Sequence, residues 1–536
     1  MSSDTISFKK TGYFSSLICD YLEQKPALKP FYNRFPAIEN FQTQIDEKRH
    51  SELVSESHRK ALVSVLKKQY VNVAASELTF QNIEALKEVN TFTITTGHQL
   101  NLFTGPLYFL YKIVSTINLS NELKQQYPDH NFVPVYWMAT EDHDFDEINY
   151  FNFRGKKVQW NRTADGAVGE LSIEGLKDVF KVLDGEFGLD QKAEVLKGLF
   201  ENAYLDHDNL ADATRYLANA LFKDYGLVII DGNHADLKKL FVPFIKEELT
   251  NQTSFKKVSE TNKQLSDLSD QPYKIQVNPR EINLFYLKEN LRERIVLEDS
   301  VYKVLNTDIS WNRDEILKEV SEFPERFSPN VIMRPLYQEV VLPNLCYIGG
   351  GGELAYWFQL KAFFNAVKVP FPILLLRNSV LIQTESQAKK LRNLNISKET
   401  IFLKRDAFIN KKVREISNIN IDFSEQKAVL KQQFEDLFSL ADQTDKSFLG
   451  AVKAQEVKQL KGLDKLEKRL LTAQKKVLSD QVSRMTELQN QLFPNSSLQE
   501  RNTNFSEFYL EYGDQLIPKL IENLKPLQSE FLILNM

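Results

Sequence analysis

The sequence predicts an α/β fold: an open parallel sheet with helices around it, interrupted by insertions and followed by an α-helical coiled coil. Three observations carry this. Residues 93–151 run from a β-branched stretch (Thr93 to Thr96) through a glycine turn and a polar loop into an amphipathic helix, then back into a second apolar strand, FVPVYWM. Parallel pairing needs a crossover long enough to carry a helix, so this unit joins parallel strands. The apolar runs LVIIDG (Leu227–Gly232) and FPILLLRNS read as further strands of a sheet covered on both faces. After about Gln383 glycine and proline almost vanish, and lysine, glutamine, glutamate and leucine dominate.

The elements follow in order. Residues 1–90 form the helical N-terminal part of the core, with helix-like spacing over Ile38–Lys48, His50–Lys68 and Asn82–Val89. The sheet core spans 91–383 and opens on the strand Thr91–Thr96. Past Phe153, RGKKVQWNRTADGAVGELSIEG predicts a short β-rich excursion with glycine turns, and two helical stretches complete an insertion over about 152–225. A second insertion, charged and mixed, covers about 250–325. VIMRPLYQEVVLP, the tract Gly349–Gly352, a helix from Glu353 and FPILLLRNS return the chain to the core.

In the coiled coil, 384–495, Leu463, Leu466, Leu470, Ala473 and Val477 alternate spacings of three and four. Met485, Leu488 and Leu492 extend that seam after a one-residue slip, and Phe423–Leu440 is a candidate antiparallel partner. The helix should stop before Pro494, because a proline pushes the preceding residue out of the helical region. Residues 496–536 read as a helical segment packing on the core, with a break or kink at Pro518.

Composition excludes several classes. A chain of 536 residues, 42% hydrophobic and 26% charged, buries a large core. Its net charge of −5 argues against a global nucleic-acid surface. No apolar run approaches the roughly twenty residues that cross a bilayer, and the opening MSSDTISFKKTGYFSSLICDYL lacks a secretory pattern, so a cytoplasmic protein is expected. Cys19 and Cys346 are too few for a disulfide framework, and Cys346, in LPNLCYI, reads as a buried inert thiol.

The chemistry concentrates where strands end. Glu141, Asp142, His143, Asp144, Asp146 and Glu147 follow the second strand. Carboxylates this dense repel unless a cation compensates, which favours Mg²⁺ binding, recognition of an amine, or acid–base chemistry around His143. The bland alternative is an acidic turn, with Asp144 capping a helix that starts near Phe145. Gly97 lets the backbone approach a ligand, and the following helix offers free N–H groups to an anion. His98, Gln99, Asn101, Thr104, Tyr108 and Lys112 add polar side chains there. Four consecutive glycines mark backbone that passes close to something, or else a flexible turn. Gly350, Gly351, Glu353, Tyr356 and Trp357 belong to that second wall, with Arg334, Tyr337, Arg377, Asn378 and Ser379 completing the pocket. Arg334 or Arg377 could clamp carboxylates or a phosphate bidentately; each is equally readable as a structural ion pair. Asp231 and Asn233 end a third strand and could face the site. A metal-dependent hydrolase using Glu141, Asp142, His143 and Asp144, or a non-catalytic scaffold built on the coiled coil, are the competing readings.

TTGHQLNLFTGPLY, VPVYWMATEDHDFDEI and IGGGGELAYWFQL, with LQERNTNFSEFYLEYG further on, resemble the signature blocks of the cysteine-adding enzymes of bacillithiol biosynthesis. The resemblance spans essentially the whole chain. It implies a Rossmann-like core related to class I aminoacyl-tRNA synthetase nucleotidyltransferases, with connective insertions and a dimerising coiled coil. The implied reaction adds cysteine to the amine of glucosaminyl-malate, the last step of bacillithiol synthesis, with His143 as base and an arginine on the malate carboxylates. ATP and Mg²⁺ are the expected cofactors, the metal's ligands being unassigned, and a homodimer the expected assembly. Only His98 stands where those synthetases carry a histidine-rich signature, and no KMSKS-like lysine loop follows.

Overall fold

Five strands form one parallel sheet in a computed structural model that describes residues 3–51, 53, 55–268 and 272–536. In chain order they are β1 (Thr91–His98), β2 (Asn131–Met138), β3 (Val228–Asp231), β4 (Asn344–Gly349) and β5 (Ile373–Leu376). The spatial order is β5-β4-β1-β2-β3, and every neighbouring pair is parallel. The chain builds outward from β1 in one direction through β2 and β3, then returns to its other side with β4 and β5. The order therefore reverses between β1 and β4, where open α/β sheets leave a crevice at the strands' carboxyl ends.

Period-two alternation along β1 explains its two faces. Phe92 and Ile94 point into an apolar cluster with Phe41, Leu119, Leu345, Ile348 and Ile373. Truncating Phe92 to alanine would remove about 3–5 kcal/mol. Thr93 and Thr95 point the other way and donate to Asn344 Oδ1 at 3.2 and 2.8 Å. Helix α1 (Tyr108–Gln126) packs on β1 and β2, and its Ser115, Thr116 and Ser120 hydroxyls satisfy themselves on carbonyls four residues back. Further helices that position the site are α2 (Ala235–Asn251), α3 (Met333–Val341) and α4 (Gly351–Trp357).

Several expectations shift. The third N-terminal helix is Glu77–Ala85 rather than Asn82–Val89, because Ser76 caps it by accepting the Thr79 N–H at 3.2 Å. Residues 52 and 54 of the expected helix His50–Lys68 lie outside the described residues; Ser55 caps Glu56–Gln69. The first insertion opens on the hairpin Tyr150–Phe153/Lys156–Gln159 and carries three helices rather than two: Leu176–Phe187, Gln191–Tyr204 and Leu210–Phe222. Gly188, at φ 97°, ends the first, and Asp190 caps the second.

The second insertion, whose residues 269–271 lie outside the described set, holds the helix Thr253–Asp267 and an antiparallel sheet. Its strand order is Ser310–Trp311, Val301–Val304, Leu291–Glu298, Leu284–Lys288 and Phe327–Pro329. Near the C-terminus the helices Gln499–Asn502, Phe505–Tyr512 and Leu516–Asn523 are followed by a strand, Phe531–Asn535, that the helical reading missed. It runs antiparallel to Ser3–Ile6, pairing Leu534 with Ser3 and Phe531 with Ile6. Pro518 sits in the first turn of its helix, where a missing N–H costs little.

By compactness the chain divides into Met1–Leu381 with Leu498–Leu534, and Ile382–Ser497 with Asn535–Met536. The second unit contains α5 (Ser424–Ala441), α6 (Lys446–Val477) and α7 (Ser479–Leu492). Phe434, Ala441 and Val452, flanked by Leu430 and Phe438, close α5 against α6. The slip in the heptad phase coincides with a break at Leu478 (φ −96°, ψ 24°), where α6 ends and α7 begins. Helix α7 stops at Leu492, two residues before Pro494. On the seam, Leu466 and Val477 remain 52% and 73% exposed. Among the described residues no helix is long and apolar enough to cross a membrane.

Candidate active site

The carboxyl ends of β1, β2, β3 and β4 open into a cavity of about 970 Å³. Two close approaches shape it. A side chain at Gly97 would meet the Tyr347 hydroxyl at 3.3 Å and Arg334 Nη1 at 3.5 Å. One at Gly349 would come within 2.9 Å of the Tyr347 ring and 3.1 Å of Glu353 Cβ. Both glycines let strand ends run hard against polar side chains.

The wall between β1 and β4 is built around Glu353. Its carboxylate pairs with Lys112 Nζ at 2.7 Å, and accepts the Tyr347 hydroxyl at 2.7 Å and the Gly350 N–H at 2.8 Å. Burial alone would raise this carboxyl, but Lys112 and the two hydrogen bonds outweigh it and hold it below the usual range. Lys112 also donates to the Gly97 carbonyl at 2.6 Å, and burial pulls its ammonium down against the attraction of Glu353. Arg334 donates to the Tyr356 hydroxyl at 3.0 Å and to Gln338 Oε1 at 3.2 Å. Arg377 lies 5.0 Å over the Tyr108 ring and pairs with Glu500 at 2.8 Å, leaving its buried Nε without a partner. His98 packs edge-on to Tyr108, with Nε2 buried and unpartnered. Burial first, then Lys112 and Arg377, push its pKa well below the usual value, so its ring is neutral.

The opposite wall holds the acidic strand end. Asp142 accepts the Gln99 amide at 2.9 Å and the His143 backbone N–H at 2.8 Å. Burial opposes its ionisation, yet Gln99 and Arg292 keep the carboxyl low. Glu147 shares the Gln99 amide at 3.0 Å, and Glu141 is neutralised by Lys238 of α2 at 2.7 Å. The charge density that the sequence leaves uncompensated is thus answered from distant elements. Arg292, on Leu291–Glu298, lies over the Phe285 ring at 4.0 Å and meets His143 Nδ1. Burial and Arg292 lower the His143 pKa, while Asp142 and Asp144 oppose them.

Of the sequence candidates, Gly97, His98, Gln99, Tyr108 and Lys112 line the cavity, as do Glu141, Asp142 and His143. Arg334, Tyr337, Gly350, Gly351, Glu353, Tyr356 and Arg377 complete that wall. The remaining candidates are placed elsewhere. Asp144 caps the helix Phe145–Ile148 by accepting the Glu147 N–H at 3.3 Å, the alternative the sequence left open. Asn101 donates to the Glu147 carbonyl at 3.1 Å, and Thr104 is buried at φ 68°. Trp357 is fully buried against Tyr347. Asn378 donates to the Lys525 carbonyl at 2.9 Å, and Ser379 to Glu500 at 3.1 Å, so Ser379 and Glu500 brace Arg377 from behind. Asp231 accepts the Thr140 hydroxyl and the Asn233 N–H rather than facing the cavity. Cys346 is buried in the apolar cluster, its thiol pushed up by burial.

Sequence reasoning missed Arg292, Arg294, Arg280 and Arg501, all of which line the cavity. Alternation in LRERIVLE, which puts Arg292 and Arg294 on one face of a strand, is the signal that could have found two of them. Part of the anion cradle expected after β1 is already engaged. The Leu107 N–H is taken by the Thr503 carbonyl at 2.8 Å, and at α4 the Gly350 N–H is taken by Glu353. Guanidinium groups of Arg280, Arg292, Arg294, Arg334, Arg377 and Arg501 also line the cavity and could meet an anion there. Nor does the acidic strand end fit a preformed divalent-cation cage, since no three His, Cys, Asp or Glu side chains converge among the described residues.

The family description "Bacillithiol biosynthesis BshC, N-terminal Rossmann-like domain" matches residues 1–378. Its counterpart, the BshC C-terminal coiled-coil domain, matches residues 380–536. A protein of Flavobacterium johnsoniae named "Putative cysteine ligase BshC" is 61% identical over all of both chains. Proteins of the same name are 37% identical in Cytophaga hutchinsonii, covering 98% of this chain and 97% of that one, and 28% in Bacillus cereus, covering 94% and 95%. This chain belongs to the BshC family of bacillithiol biosynthesis.

Proposed function

We propose that this chain is a cytoplasmic ligase that joins the carboxyl of L-cysteine to the amine of glucosaminyl-malate, in the last step of bacillithiol synthesis. The observation that carries the reading is a cavity with an ionised carboxylate and a neutral imidazole, Asp142 and His143, on one wall and arginines on the others. That division suits a substrate with an ammonium at one end and carboxylates at the other. Asp142 receives the ammonium, and guanidinium groups such as Arg334 and Arg294 receive the malate carboxylates. In the reaction a C–N bond forms at the cysteine carboxyl carbon, the bond to its leaving oxygen breaks with its electron pair, and the amine gives its proton to the Asp142–His143 pair.

Amide formation in water is uphill, so the carboxyl needs activation, and ATP would supply it. Mg²⁺ would arrive with the nucleotide phosphates. Purified protein incubated with glucosaminyl-malate, cysteine and ATP–Mg²⁺ should yield bacillithiol by mass spectrometry, and omission of ATP should abolish the product. Absence of product under the complete conditions would overturn the assignment.

We also propose a homodimer joined through residues 385–495, on the exposed seam residues Leu466 and Val477. Replacing Leu466 and Leu470 with lysine should give a folded monomer by light scattering. A wild-type chain already monomeric at micromolar concentration would refute it.

A further inference from the structure

The proposed reaction leaves the two nitrogens of His143 undistinguished, and the insertion sheet distinguishes them. The strand Leu291–Glu298 sets Arg292 against the ring: its guanidinium stacks on Phe285, its Nε donates to Ser328 Oγ at 3.2 Å, and its Nη1 meets His143 Nδ1. A guanidinium carries only donors and keeps its charge in proteins. The imidazole nitrogen facing it must therefore be an acceptor, and the neutral ring carries its single proton on Nε2. The rival for Nδ1 is Asp142 Oδ1, 3.7 Å away and outside hydrogen-bond reach. That oxygen is already engaged by the His143 backbone N–H at 2.8 Å. The ring lines the cavity with its side chain half exposed.

We propose that Arg292 is a positioning residue that locks His143 in the Nε2–H tautomer, so that within the Asp142–His143 pair the Asp142 carboxylate takes the amine's proton and His143 donates to a substrate oxygen. The tautomer stands on geometry by itself, while the two roles rest on the ligase reading above. An Nε2–H donor suits the oxygen of the cysteine carboxyl, where negative charge grows as the amine attacks. The charged groups acting on the ring agree with a neutral form. Burial opposes protonation first and Arg292 of the insertion sheet adds to it, against Asp142, Asp144 and Glu293.

With seven histidines in the chain, long-range ¹H–¹⁵N spectra of the full-length protein can resolve His143, assigned by its loss in His143→Gln. At neutral pH, without substrates, Nδ1 should appear unprotonated and Nε2 protonated. In Arg292→Met the nearest charged group left to Nδ1 is Asp142. The lock is then released, an Nδ1–H population absent from the wild type should appear, and the acidic limb of kcat/KM should rise by about one pH unit. Arg292→Lys, which keeps a donor, should retain the Nε2–H form. A protonated Nδ1 in the wild-type ring would overturn the proposal, and so would an unchanged tautomer in Arg292→Met. Should that variant fail to fold, the wild-type spectrum decides alone. Failure of the product assay with the expected tautomer present would remove the ligase reading and leave the Arg292–His143 lock standing.

Discussion

Of the buried lysine–glutamate pairs beside this sheet, Lys48–Glu339 is sealed from the cavity and Lys112–Glu353 opens onto it. Lys48 and Glu339 are both fully buried and 3.3 Å apart. Glu339 also accepts the Asn344 amide at 2.6 Å and the Gln338 amide at 3.1 Å, and Asn344 in turn takes Thr93 and Thr95. Lys112 and Glu353 stand 2.7 Å apart, with Glu353 27% exposed to the cavity. Around them polar atoms remain unpartnered, namely His98 Nε2 and Arg377 Nε. The same chemistry thus serves two ends. A network in which each side chain is satisfied specifies the fold, whereas one with spare capacity beside a cavity is available to a ligand. Gln338 bridges the two, since it accepts from Arg334 and donates to Glu339.

The comparison breaks most visibly at the sealed pair. Glu339→Ala leaves Lys48 buried and uncompensated and should destabilise the protein by about 3–5 kcal/mol, read from denaturant unfolding. Activity per folded molecule should fall less than tenfold, because Arg334 keeps its bond to Tyr356. The open pair should reverse that ratio. Glu353→Gln should cost less stability than Glu339→Ala, because glutamine keeps the shape and an acceptor for Lys112, Tyr347 and the Gly350 N–H at a site open to the cavity. Turnover should fall roughly a hundredfold, as Lys112 loses the charge that places it. Equal losses of stability in both variants would erase the distinction.

How much of this is legible in the sequence depends on the range of each interaction. Gly97, Lys112, Gly350 and Glu353 lie in local blocks whose strand–turn–helix pattern puts them at a strand end, and all four line the cavity. Thr93 and Thr95 read only as β-branched strand formers. That they turn a polar face to Asn344 depends on a partner some 250 positions away in sequence. Asp144 shows the limit of local density as a guide. Two residues past Asp142 it faces a helix N-terminus rather than the cavity, because the chain turns between them. Arg292 and Lys238, which compensate Asp142 and Glu141, come from an insertion and a distant helix. Alternation in LRERIVLE puts Arg292 on one strand face with Arg294, but no local feature ties that face, or Lys238, to the acidic strand end. Asn378 and Ser379 were legible as strand-end residues, yet they point behind Arg377 and hold it there.

The smallest effect sharpens the comparison through pH. His98 is buried between Lys112 and Arg377, which with burial hold its pKa well below the unfolded value of about 6.5. The sign follows from proton counting. Below pH 6.5 the unfolded chain binds a proton at this residue and the folded chain does not, so stability is present above that pH and declines as the pH falls. The slope contributed by one such site approaches about 1.4 kcal/mol per pH unit. His98→Gln removes the titration and should flatten the acid side of the stability curve between the folded pKa and pH 6.5. The alkaline side should be unaffected by the loss of that proton. An anionic ligand settling beside His98 would compensate its charge and should reduce the same slope in the wild-type protein. The Lys48–Glu339 network, which meets the cavity only through the Gln338 bridge to Arg334, should respond far less to a ligand. A wild-type slope that stays fixed as ligand is added would place His98 with the sealed network rather than the open one.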